Sequence, residues 1–569
     1  MDIGHGTADS VENRRKILLA GAAAVVLAIV LAGLVCGDDA GRGAARDYSK
    51  VWATQDFNAM YKRLSPESKA QITAGEFEQK QREALATATV RRLIPHEPKG
   101  FKDGAVTVPF TVETRAFGTL KLNATIPLTD DASDAKVKWS NTLLLPGLKA
   151  GESLSRKTEL PARASIYASD GVSLAEGPTR YSPIPDVASQ IAGTVAAPQG
   201  GVTLNLEALG YPADATIGVS GLERVFQSQL AGTPGGTLSA GMRTLATTTP
   251  RPGRPVHSTI VPDVERAAVT ALAGRQGGAA VMTPKTGAIL ALAGSAFSET
   301  APPGSTFKIV TAAAALQAHV TTLKTNYPYE TQALLDGRPV QNANGETCGG
   351  TLIQSFANSC NSVFAPLGVK VGSQKLVAMA EALGFNRPFP NVPGATVSSI
   401  PDASQIQGED ATGTTAIGQG QVLASALQMT SIAATVANGG WRVQPTLQKP
   451  TGTVSRTKAM EGPVAAQLKK MMLAVVRYGT GGAAAIQGAS VAGKTGTAEI
   501  RDTVSSDPND PNAGGPNDPA NTDAWFVAFA PSWAPRVAVG VLLDGAGHGG
   551  DTAAPAARDI LVAALKRRG

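Results

Sequence analysis

The sequence contains few of the residues that usually hold metals or contact nucleic acids. Its 569 residues include three cysteines and five scattered histidines, so no metal or cofactor is indicated. Lysine and arginine number 51 against 45 aspartates and glutamates, a net charge of +6. That excess is spread over a long chain without a dense basic cluster, which argues against nucleic-acid binding. A chain of this length should divide into roughly three or four domains.

One long uncharged run lies near the N-terminus. A basic segment at 14–16 precedes the uncharged stretch Ile17–Val35, and two aspartates follow it. The stretch is long enough to span a bilayer, and its basic flank should stay in the cytoplasm. The pattern predicts a cytoplasmic tail over 1–16 and a transmembrane signal anchor over 17–36, with the rest of the chain outside. Because the stretch is rich in small residues, a cleaved signal peptide is the alternative.

The three cysteines are well separated in the chain. Cys36 belongs to the anchor region, where Leu34 and Val35 are poorly suited to precede a lipidated cysteine. Cys348 and Cys360 bracket a short helical stretch, in a compartment that would be oxidising. A disulfide between them and two free thiols both remain open.

The part that follows the anchor changes from helical to strand patterns. Residues 46–95 have the pattern of amphipathic helices, and 105–128 and 135–144 have that of antiparallel strands. Together these segments predict a small α+β domain over residues 45–150.

The rest of the chain forms two further regions. A mixed segment over 155–255 ends in the linker-like TTTPRPGRP, and 256–569 is predicted to be one large domain. Within it, residues 279–294 predict a β-hairpin, because two apolar runs flank a Pro-Lys-Thr-Gly turn. ASVAGKTGTAEI, DAWFVAFA and RVAVGVLLD predict three late strands before a closing helix. Since helices lie between, one antiparallel sheet should assemble from both ends of this domain.

Ser305 and Lys308 stand at the start of an alanine-rich helical run, in PPGSTFKIVTAAAAL. Positions i and i+3 share one face of a helix, so the lysine can reach the serine hydroxyl. A serine hydroxyl is a weak nucleophile until a neighbouring base takes its proton. A lysine can be that base if burial and nearby positive charge lower its pKa. An ordinary helix that starts with serine and carries a surface lysine would show the same spacing.

Two further motifs carry complementary chemistry. Ser359 and Asn361, in ANSCNSVF, suit a loop that presents a hydroxyl and a carboxamide to one cavity. The KTGT run at 494–497 places a cation and hydroxyls on a strand, where glycine allows close approach of a substrate backbone. Such an edge suits an extended substrate that ends in a carboxylate.

Two further motifs resemble functional ones, and neither is assigned the function that it resembles. A second KTG at 285–287 forms the turn of the early hairpin. GASVAGKT at 488–495 fits the phosphate-binding pattern G-x-x-x-x-G-K-[ST], which needs a helix directly after Lys-Thr. Here a glycine, a short strand and the flexible, acidic stretch 502–521 follow, which argues against an NTPase.

STFK, SCN and KTGT, in this order, resemble the three motifs of the penicillin-recognising serine acyltransferases. Segments such as AIGQGQVLASALQMTSIAATVANGG and GHGGDTAAPAARDIL extend the resemblance to the transpeptidase domain of penicillin-binding proteins, over nearly all of 275–569. Upstream, ARASIYASDGVSLA resembles the dimerisation or pedestal region of class B penicillin-binding proteins. Residues 46–150 are similar to the nuclear-transport-factor-like domain of the low-affinity, β-lactam-resistance type.

The resemblance implies a multidomain α+β fold. A small α+β domain at 45–150 and a pedestal or dimerisation region at 155–255 would precede a transpeptidase domain at 256–569. That last domain would be of the β-lactamase and penicillin-binding type, an antiparallel sheet flanked by helices.

The resemblance also assigns roles by position. Ser305 would be the acylated nucleophile and Lys308 its general base, with the backbone N–H groups of Ser305 and Thr497 as the oxyanion hole. Ser359 would shuttle a proton, and Asn361 would hold the substrate amide. The KTGT run would bind the substrate and its terminal carboxylate. The residues of this run are Lys494, Thr495, Gly496 and Thr497. The middle position of SCN carries Cys360 where other members have aspartate, and this position tolerates variation.

The implied reaction is peptidoglycan D,D-transpeptidation. The serine would attack the D-Ala-D-Ala bond of a stem peptide and release D-alanine, and the amine of a neighbouring stem would resolve the acyl-enzyme. β-Lactams would inhibit it covalently. The catalytic domain would lie outside the cytoplasmic membrane, where a membrane glycosyltransferase is a further partner, and neither cofactor nor metal is implied.

Three alternative functions share some of these features. A serine β-lactamase needs a base that activates water for fast deacylation, and VRYGTGG differs from the Tyr-x-Asn that such enzymes use. A D,D-carboxypeptidase differs only in passing the acyl group to water, and the multidomain stalk favours transpeptidation over it. Intact motifs argue against a non-catalytic penicillin-binding scaffold.

Overall fold

The computed structural model describes residues 40–130, 134–198, 203–212, 214–449, 452–499 and 521–566. The predicted tail and signal anchor lie outside these ranges, as does the 502–521 stretch except for its last residue. Within the described ranges, no helix combines the length and the apolar character needed to cross a membrane.

The elements between residues 40 and 257 are, in chain order, α1 (40–53), α2 (Phe57–Lys62), α3 (Pro66–Gln71), α4 (Ala74–Thr87), β1 (Val90–Pro95), β2 (Phe101–Lys102), β3 (Ala105–Thr114), β4 (Thr119–Pro127), β5 (Leu154–Glu159), β6 (Ile166–Tyr167), β7 (Ser173–Ala175), α5 (Pro185–Ile191), β8 (Val195–Ala196), α6 (Thr203–Ala208), β9 (Ile217–Gly218), α7 (Gly221–Val225), α8 (Gln227–Leu230), β10 (Gly235–Ala240), β11 (Arg243–Thr248) and β12 (Val256–His257).

The elements that follow are α9 (Pro262–Leu272), β13 (Gly277–Met282), β14 (Ile289–Gly294), α10 (Lys308–Gln317), β15 (Asn326–Glu330), β16 (Gln332–Leu335), β17 (Arg338–Gln341), β18 (Cys348–Thr351), α11 (Leu352–Ala357), α12 (Asn361–Val371), α13 (Ser373–Ala382), α14 (Gly408–Ala416), α15 (Ala426–Ala437), β19 (Trp441–Val443), β20 (Arg456–Lys458), α16 (Gly462–Arg477), β21 (Ala492–Glu499), β22 (Thr522–Ala530), β23 (Val537–Leu543) and α17 (Ala553–Lys566).

The first of two compact units contains the described residues up to Arg163, together with the described residues of Ala196–Ile217 and Ala231–Gly253. Its main sheet is built on β3, which pairs antiparallel with β1, β2 and β4. Alternate side chains of β3 are buried along its whole length, so one face of this sheet packs on the core. Trp52 of α1 and Phe77 of α4 belong to the same core, which confirms helices packed on a small sheet. The helical pattern predicted over 46–95 is wrong at its end, because the helices stop at Thr87 and residues 90–95 form β1.

The prediction of a strand over 135–144 is wrong. Val137 makes isolated bridges to Leu64 and Leu128, and Asn141–Leu143 is a 3-10 turn. The apolar side chains of this segment pack on the core individually from a loop, and Trp139, for example, packs edge-on against Phe77. The alternating pattern therefore comes from side chains that hold a loop against the core.

The second unit contains Ala164–Val195, Gly218–Leu230 and the described residues from Arg254 onward. Its central sheet has the strand order β14-β13-β23-β22-β21, and every neighbouring pair is antiparallel. The predicted hairpin forms β13 and β14, and the three predicted late strands form β21, β22 and β23. This confirms one sheet assembled from both ends of the domain.

Helices cover both faces of that sheet. On β22, Trp525, Val527 and Phe529 join a core that includes α15 and α16. The intervening Ala524, Phe526 and Ala528 join a second core with α9 and α17. A strand points successive side chains to opposite faces, so the seven consecutive apolar residues at 524–530 indicate burial on both sides. Each large side chain buried here contributes roughly 1.5–3 kcal/mol.

The helix α10 crosses the interior of this unit. Every residue from Lys308 to Leu316 is buried, because its alanine-rich sequence allows neighbouring helices to approach closely on all sides. The 3-10 turn Gly304–Phe307 comes directly before it, and Phe307 packs edge-on against Phe385 with ring centroids 5.5 Å apart. The predicted helix start is therefore confirmed, with a lysine inside the core.

Candidate active site

Ser305 lies in the 3-10 turn just before α10. Such a turn has three residues per turn, which places residues i and i+3 above one another, so Ser305 and Lys308 share a face. Two glycines let the turn lie against β21. A Cβ on Gly304, whose φ is +49°, would lie 2.5 Å from the Thr497 carbonyl oxygen, and a Cβ on Gly496 would lie 2.9 Å from the Pro303 oxygen. The nucleophile turn and the KTGT strand are therefore in contact.

The Lys308 amine is fully buried and held by two acceptors. Its Nζ donates to the Ser359 carbonyl oxygen and to Asn361 Oδ1, both at 2.6 Å, and lies 3.4 Å from Ser359 Oγ. Burial is the main cause that holds the pKa of Lys308 well below its usual value, and the positive charge of the nearby Lys494 lowers it further. A neutral amine has two N–H groups, which these acceptors satisfy. Its lone pair is then free to accept a proton.

Ser305 itself has no hydrogen-bond partner among the described residues, either at its hydroxyl or at its backbone N–H. Its side chain is half-buried. A free hydroxyl can turn toward Lys308 when substrate arrives, and hydrogen bonds of this kind commonly tighten only in the substrate complex. The free N–H can bind an oxyanion.

Lys494 approaches Ser359 from the opposite side. Its Nζ donates to Ser359 Oγ at 2.8 Å and to the Thr495 carbonyl oxygen at 2.9 Å. Burial lowers the pKa of Lys494 to about 7. The hydroxyl of Ser359 therefore lies between two buried lysines whose pKa values are both lowered.

Two aromatic rings lie beneath the two amines. Lys308 Nζ is 5.7 Å from the centroid of Phe364, and Lys494 Nζ is 5.6 Å from that of Phe356. The two rings pack edge-on against each other at 5.7 Å. Cation–π attraction favours the charged forms and partly offsets the desolvation that lowers both pKa values.

The loop that carries Ser359 and Asn361 is constrained on both sides. Ser359 has a φ of +61°, a left-handed conformation that costs about 1–3 kcal/mol in a residue other than glycine. The next residue, Cys360, is bonded to Cys348 of β18, which settles a pairing that the sequence left open. Asn361 begins α12, and its Nδ2 donates to the Gln341 carbonyl oxygen at 2.8 Å. The prediction that one loop presents both side chains to one cavity is consistent with this geometry.

We expect loss of the disulfide to loosen this loop. Replacing Cys348 and Cys360 together by serine removes a cross-link that closes a loop with a sequence separation of 12, and such bonds stabilise by about 2–4 kcal/mol. The strained Ser359 should then relax, and acylation by benzylpenicillin should slow roughly tenfold. Urea unfolding and intact-mass time courses measure the two effects. If the free energy of unfolding and the acylation rate were both unchanged in the double variant, the disulfide would not constrain this loop.

The KTGT run lies on β21, at one edge of the central sheet. Lys494, Thr495 and Gly496 are buried, whereas Thr497 is half-buried. Thr497 Oγ1 accepts a 3.4 Å hydrogen bond from the backbone N–H of Gly549. The strand thus presents hydroxyls beside the nucleophile turn.

Thr480 is a site residue that the sequence reasoning missed. Its hydroxyl lies 2.6 Å from that of Thr495, and its backbone N–H donates to Ala357, the last residue of α11. It therefore connects the KTGT strand to the helix that precedes Ser359. No motif spacing could have identified it, because a 3-10 turn and a loop separate it from β21 and only packing brings the two together.

The structure agrees with the interpretation of KTG at 285–287 as a turn and with the argument against a phosphate-binding loop at 488–495. The KTG at 285–287 occupies the turn between β13 and β14. Lys494 and Thr495 lie within β21, which continues as a strand through Glu499, so the helix required of a phosphate-binding loop does not follow them.

Two protein families match this chain. The penicillin binding protein transpeptidase domain matches residues 277–562, half of the chain. The NTF2-like N-terminal transpeptidase domain matches residues 40–152.

Several curated proteins and solved structures are similar. The peptidoglycan D,D-transpeptidase PbpA of Mycolicibacterium smegmatis is 37% identical over 304 residues, which are 48% of this chain and 56% of the relative. The chain thus spans about half the length of the curated relatives it matches. Penicillin-binding protein A from Mycobacterium tuberculosis, solved as a ceftriaxone acyl-enzyme complex, is 28% identical with a TM-score of 0.57, covering 71% of this chain and 98% of that one. The D,D-transpeptidase domain from Eggerthella lenta is 30% identical, with a TM-score of 0.56 and coverage of 71% and 98%.

Proposed function

Because the chain belongs to the penicillin-binding protein transpeptidase family, we propose that it is a peptidoglycan D,D-transpeptidase that acts through an acyl-enzyme on Ser305. The observation that carries this proposal is the arrangement of Lys308 and Lys494 on either side of Ser359, with both lysine pKa values lowered by burial. Such a chain of amines and hydroxyls moves protons at neutral pH without a histidine.

Acylation uses the neutral Lys308 amine as base. It takes the Ser305 proton while Oγ attacks the carbonyl carbon of the penultimate D-alanine. The oxyanion that forms is held by the backbone N–H groups of Ser305 and Thr497. The C–N bond then breaks as Ser359 gives its proton to the leaving nitrogen of the terminal D-alanine. The Lys308 ammonium restores that proton to Ser359, and free D-alanine departs.

The KTGT strand would hold the substrate. The terminal carboxylate of the stem peptide binds the hydroxyls of Thr495 and Thr497, and the Lys494 ammonium adds positive charge behind them. Thr480 orients the Thr495 hydroxyl. Asn361 offers its second amide N–H to the carbonyl of the stem peptide.

The second step runs through the same groups. The amine of a neighbouring stem attacks the Ser305 ester, its proton passes to the lysine and serine relay, and the amide cross-link forms as the Ser305 hydroxyl is regenerated. A β-lactam would acylate the same serine, as its relatives' acyl-enzyme structures support. The predicted signal anchor would hold the protein in the cytoplasmic membrane with this site outside, where a membrane glycosyltransferase could supply the polymer.

The contacts at the site favour a long-lived acyl-enzyme over a β-lactamase. Rapid hydrolysis needs a base placed for water. Within the described residues, no carboxylate makes a hydrogen bond or ion pair with Lys308, Ser359 or Lys494. The acyl-enzyme should therefore be hydrolysed slowly and persist until an amine attacks it.

The test is an intact-mass time course of the full-length protein with benzylpenicillin, beside D-alanine release from a stem peptide ending in D-Ala-D-Ala. We expect one adduct that persists for many minutes. D-alanine should be released from this stem peptide, and L-alanine should not be released from one ending in D-Ala-L-Ala. With an added amine acceptor, a cross-linked product should form. An adduct that clears within seconds would indicate a β-lactamase. Hydrolysis of the stem peptide without a cross-linked product would indicate a carboxypeptidase. If the protein forms no adduct and releases no D-alanine, it would be a non-catalytic scaffold.

A further inference from the structure

Asn342 is a buried residue between β17 and β18 that uses all its hydrogen-bonding groups. It is 5% exposed. Its Nδ2 lies 2.8 Å from the Glu330 carbonyl oxygen, 2.9 Å from that of Glu346 and 3.1 Å from Ser362 Oγ. Its Oδ1 accepts from the backbone N–H of Ser362 at 2.8 Å. One carboxamide thus joins β15, the loop before β18 and the first turn of α12.

These contacts lie on both sides of Asn361. Asn342 follows Gln341, whose carbonyl oxygen accepts from Asn361 Nδ2, and it binds Ser362, which follows Asn361. At its other end, the Asn361 carboxamide accepts from Lys308 through Oδ1. The orientation of this carboxamide therefore depends on a backbone carbonyl, and Asn342 holds the backbone on both sides of that hydrogen bond.

We propose that Asn342 is a positioning residue for acylation, which keeps the Asn361 carboxamide turned with its oxygen toward Lys308 and one amide N–H toward the substrate. The inference rests on the proposed function of Ser305 and Lys308. A carboxamide is nearly symmetric in shape, so half a turn about its last bond exchanges oxygen and nitrogen without a clash. Without the Gln341 carbonyl in place, the reversed orientation becomes accessible. It would direct N–H groups toward Lys308, where they oppose the N–H groups of the ammonium or occupy the lone pair of the neutral amine. It would also direct the oxygen toward the substrate carbonyl, which repels it.

This role has a signature in the pH dependence of acylation. The Asn361 oxygen stabilises the charged form of Lys308, because it accepts from the ammonium. Losing it should lower the pKa of Lys308 further, so the acid limb of the acylation profile moves to lower pH while the maximal rate falls. The ionisable group that faces Lys308 from β21 is Lys494, which is unchanged by the substitution. A loss of stability alone would reduce the rate without moving the limb.

The experiment measures acylation by benzylpenicillin from pH 5.5 to 9, by intact mass, for the full-length protein and for Asn342→Ala and Asn342→Asp. Both variants should be acylated 10- to 100-fold more slowly, with the acid limb shifted to lower pH, since small misplacements of catalytic groups cost such factors. Asn342→Asp retains the acceptor for the Ser362 N–H and covers the case in which the alanine variant does not fold. Asn438→Ala is the matched control, because it also removes an asparagine-to-backbone hydrogen bond, to the Trp441 carbonyl, away from this site.

A double-substitution cycle with Asn361→Ala distinguishes positioning from a general loss of structure. If Asn342 acts through Asn361, then Asn342→Ala slows acylation strongly in the native background and less than twofold in the Asn361→Ala background. An equal effect in both backgrounds, or a folded Asn342 variant with native rate and pH profile, would overturn the inference. Failure of the unsubstituted protein to acylate would instead overturn the proposed function, and the inference would fall with it.

Discussion

Replacing Ser305 by alanine is expected to abolish the benzylpenicillin adduct while leaving folding stability within about 0.5 kcal/mol of the native protein. No bond can form at this position without the hydroxyl oxygen. The side chain is half-buried and its hydroxyl has no partner among the described residues, so its removal breaks no hydrogen bond. Intact mass gives the first result, with an expected loss of at least about 10⁴-fold in rate. Urea unfolding gives the second.

Two further serine variants make this result specific. Ser298→Ala, at an exposed position outside the site, should acylate at the native rate. Ser359→Ala should acylate slowly but measurably, because the nucleophile remains and only the proton relay is lost. An adduct on the Ser305→Ala protein, located in another peptide after digestion, would disprove the assignment of the nucleophile.

The substitution Lys308→Met is expected to slow acylation by about 10²–10⁴-fold, the usual contribution of a general base. Methionine has a similar length and no basic nitrogen, so Ser305 would have to lose its proton without help. The effect should persist at high penicillin concentration, because the base acts on the chemical step. Lys375→Met, at an exposed lysine on α13, is the control and should acylate normally.

The same variant should change how stability depends on pH. The folded-state pKa of Lys308 is depressed, so above that pKa and below about 10.5 the unfolded chain binds more protons than the folded protein. Stability therefore rises with pH through this window, because unfolding takes up a proton and this uptake becomes less favourable as the pH rises. Lys494 contributes in the same direction between about 7 and 10.5. Lys308→Met should reduce the rise.

Urea unfolding between pH 7 and 9.5 measures this slope. If Lys308→Met and the native protein show the same slope, Lys308 has an ordinary pKa. It would then not be a neutral base at physiological pH, and the acylation mechanism given above would be wrong even if the variant were inactive.

Local patterns in the sequence were sufficient for several elements of the fold. The spacing of Ser305 and Lys308 needed only the geometry of one helical turn. The hairpin of β13 and β14 followed from two apolar runs around a short turn. The order of the STFK, SCN and KTGT motifs indicated a family, and with it the transpeptidase fold. The pattern failed at 135–144, because apolar alternation also arises in a loop whose side chains pack singly.

By itself, the sequence determined the order and spacing of the residues that we propose as nucleophile, amine, hydroxyl and carboxamide, and it predicted the central sheet built from both ends of its domain. Only the tertiary structure decided how those groups meet. Lys494 reaches Ser359 across 135 positions of the chain, and Lys308 reaches it across 51. Motif spacing likewise could not predict the contact of the Thr480 hydroxyl, the Cys348–Cys360 bond or the contacts of Asn342. A pKa depends on burial and on neighbouring charges, and both are properties of packing between distant segments.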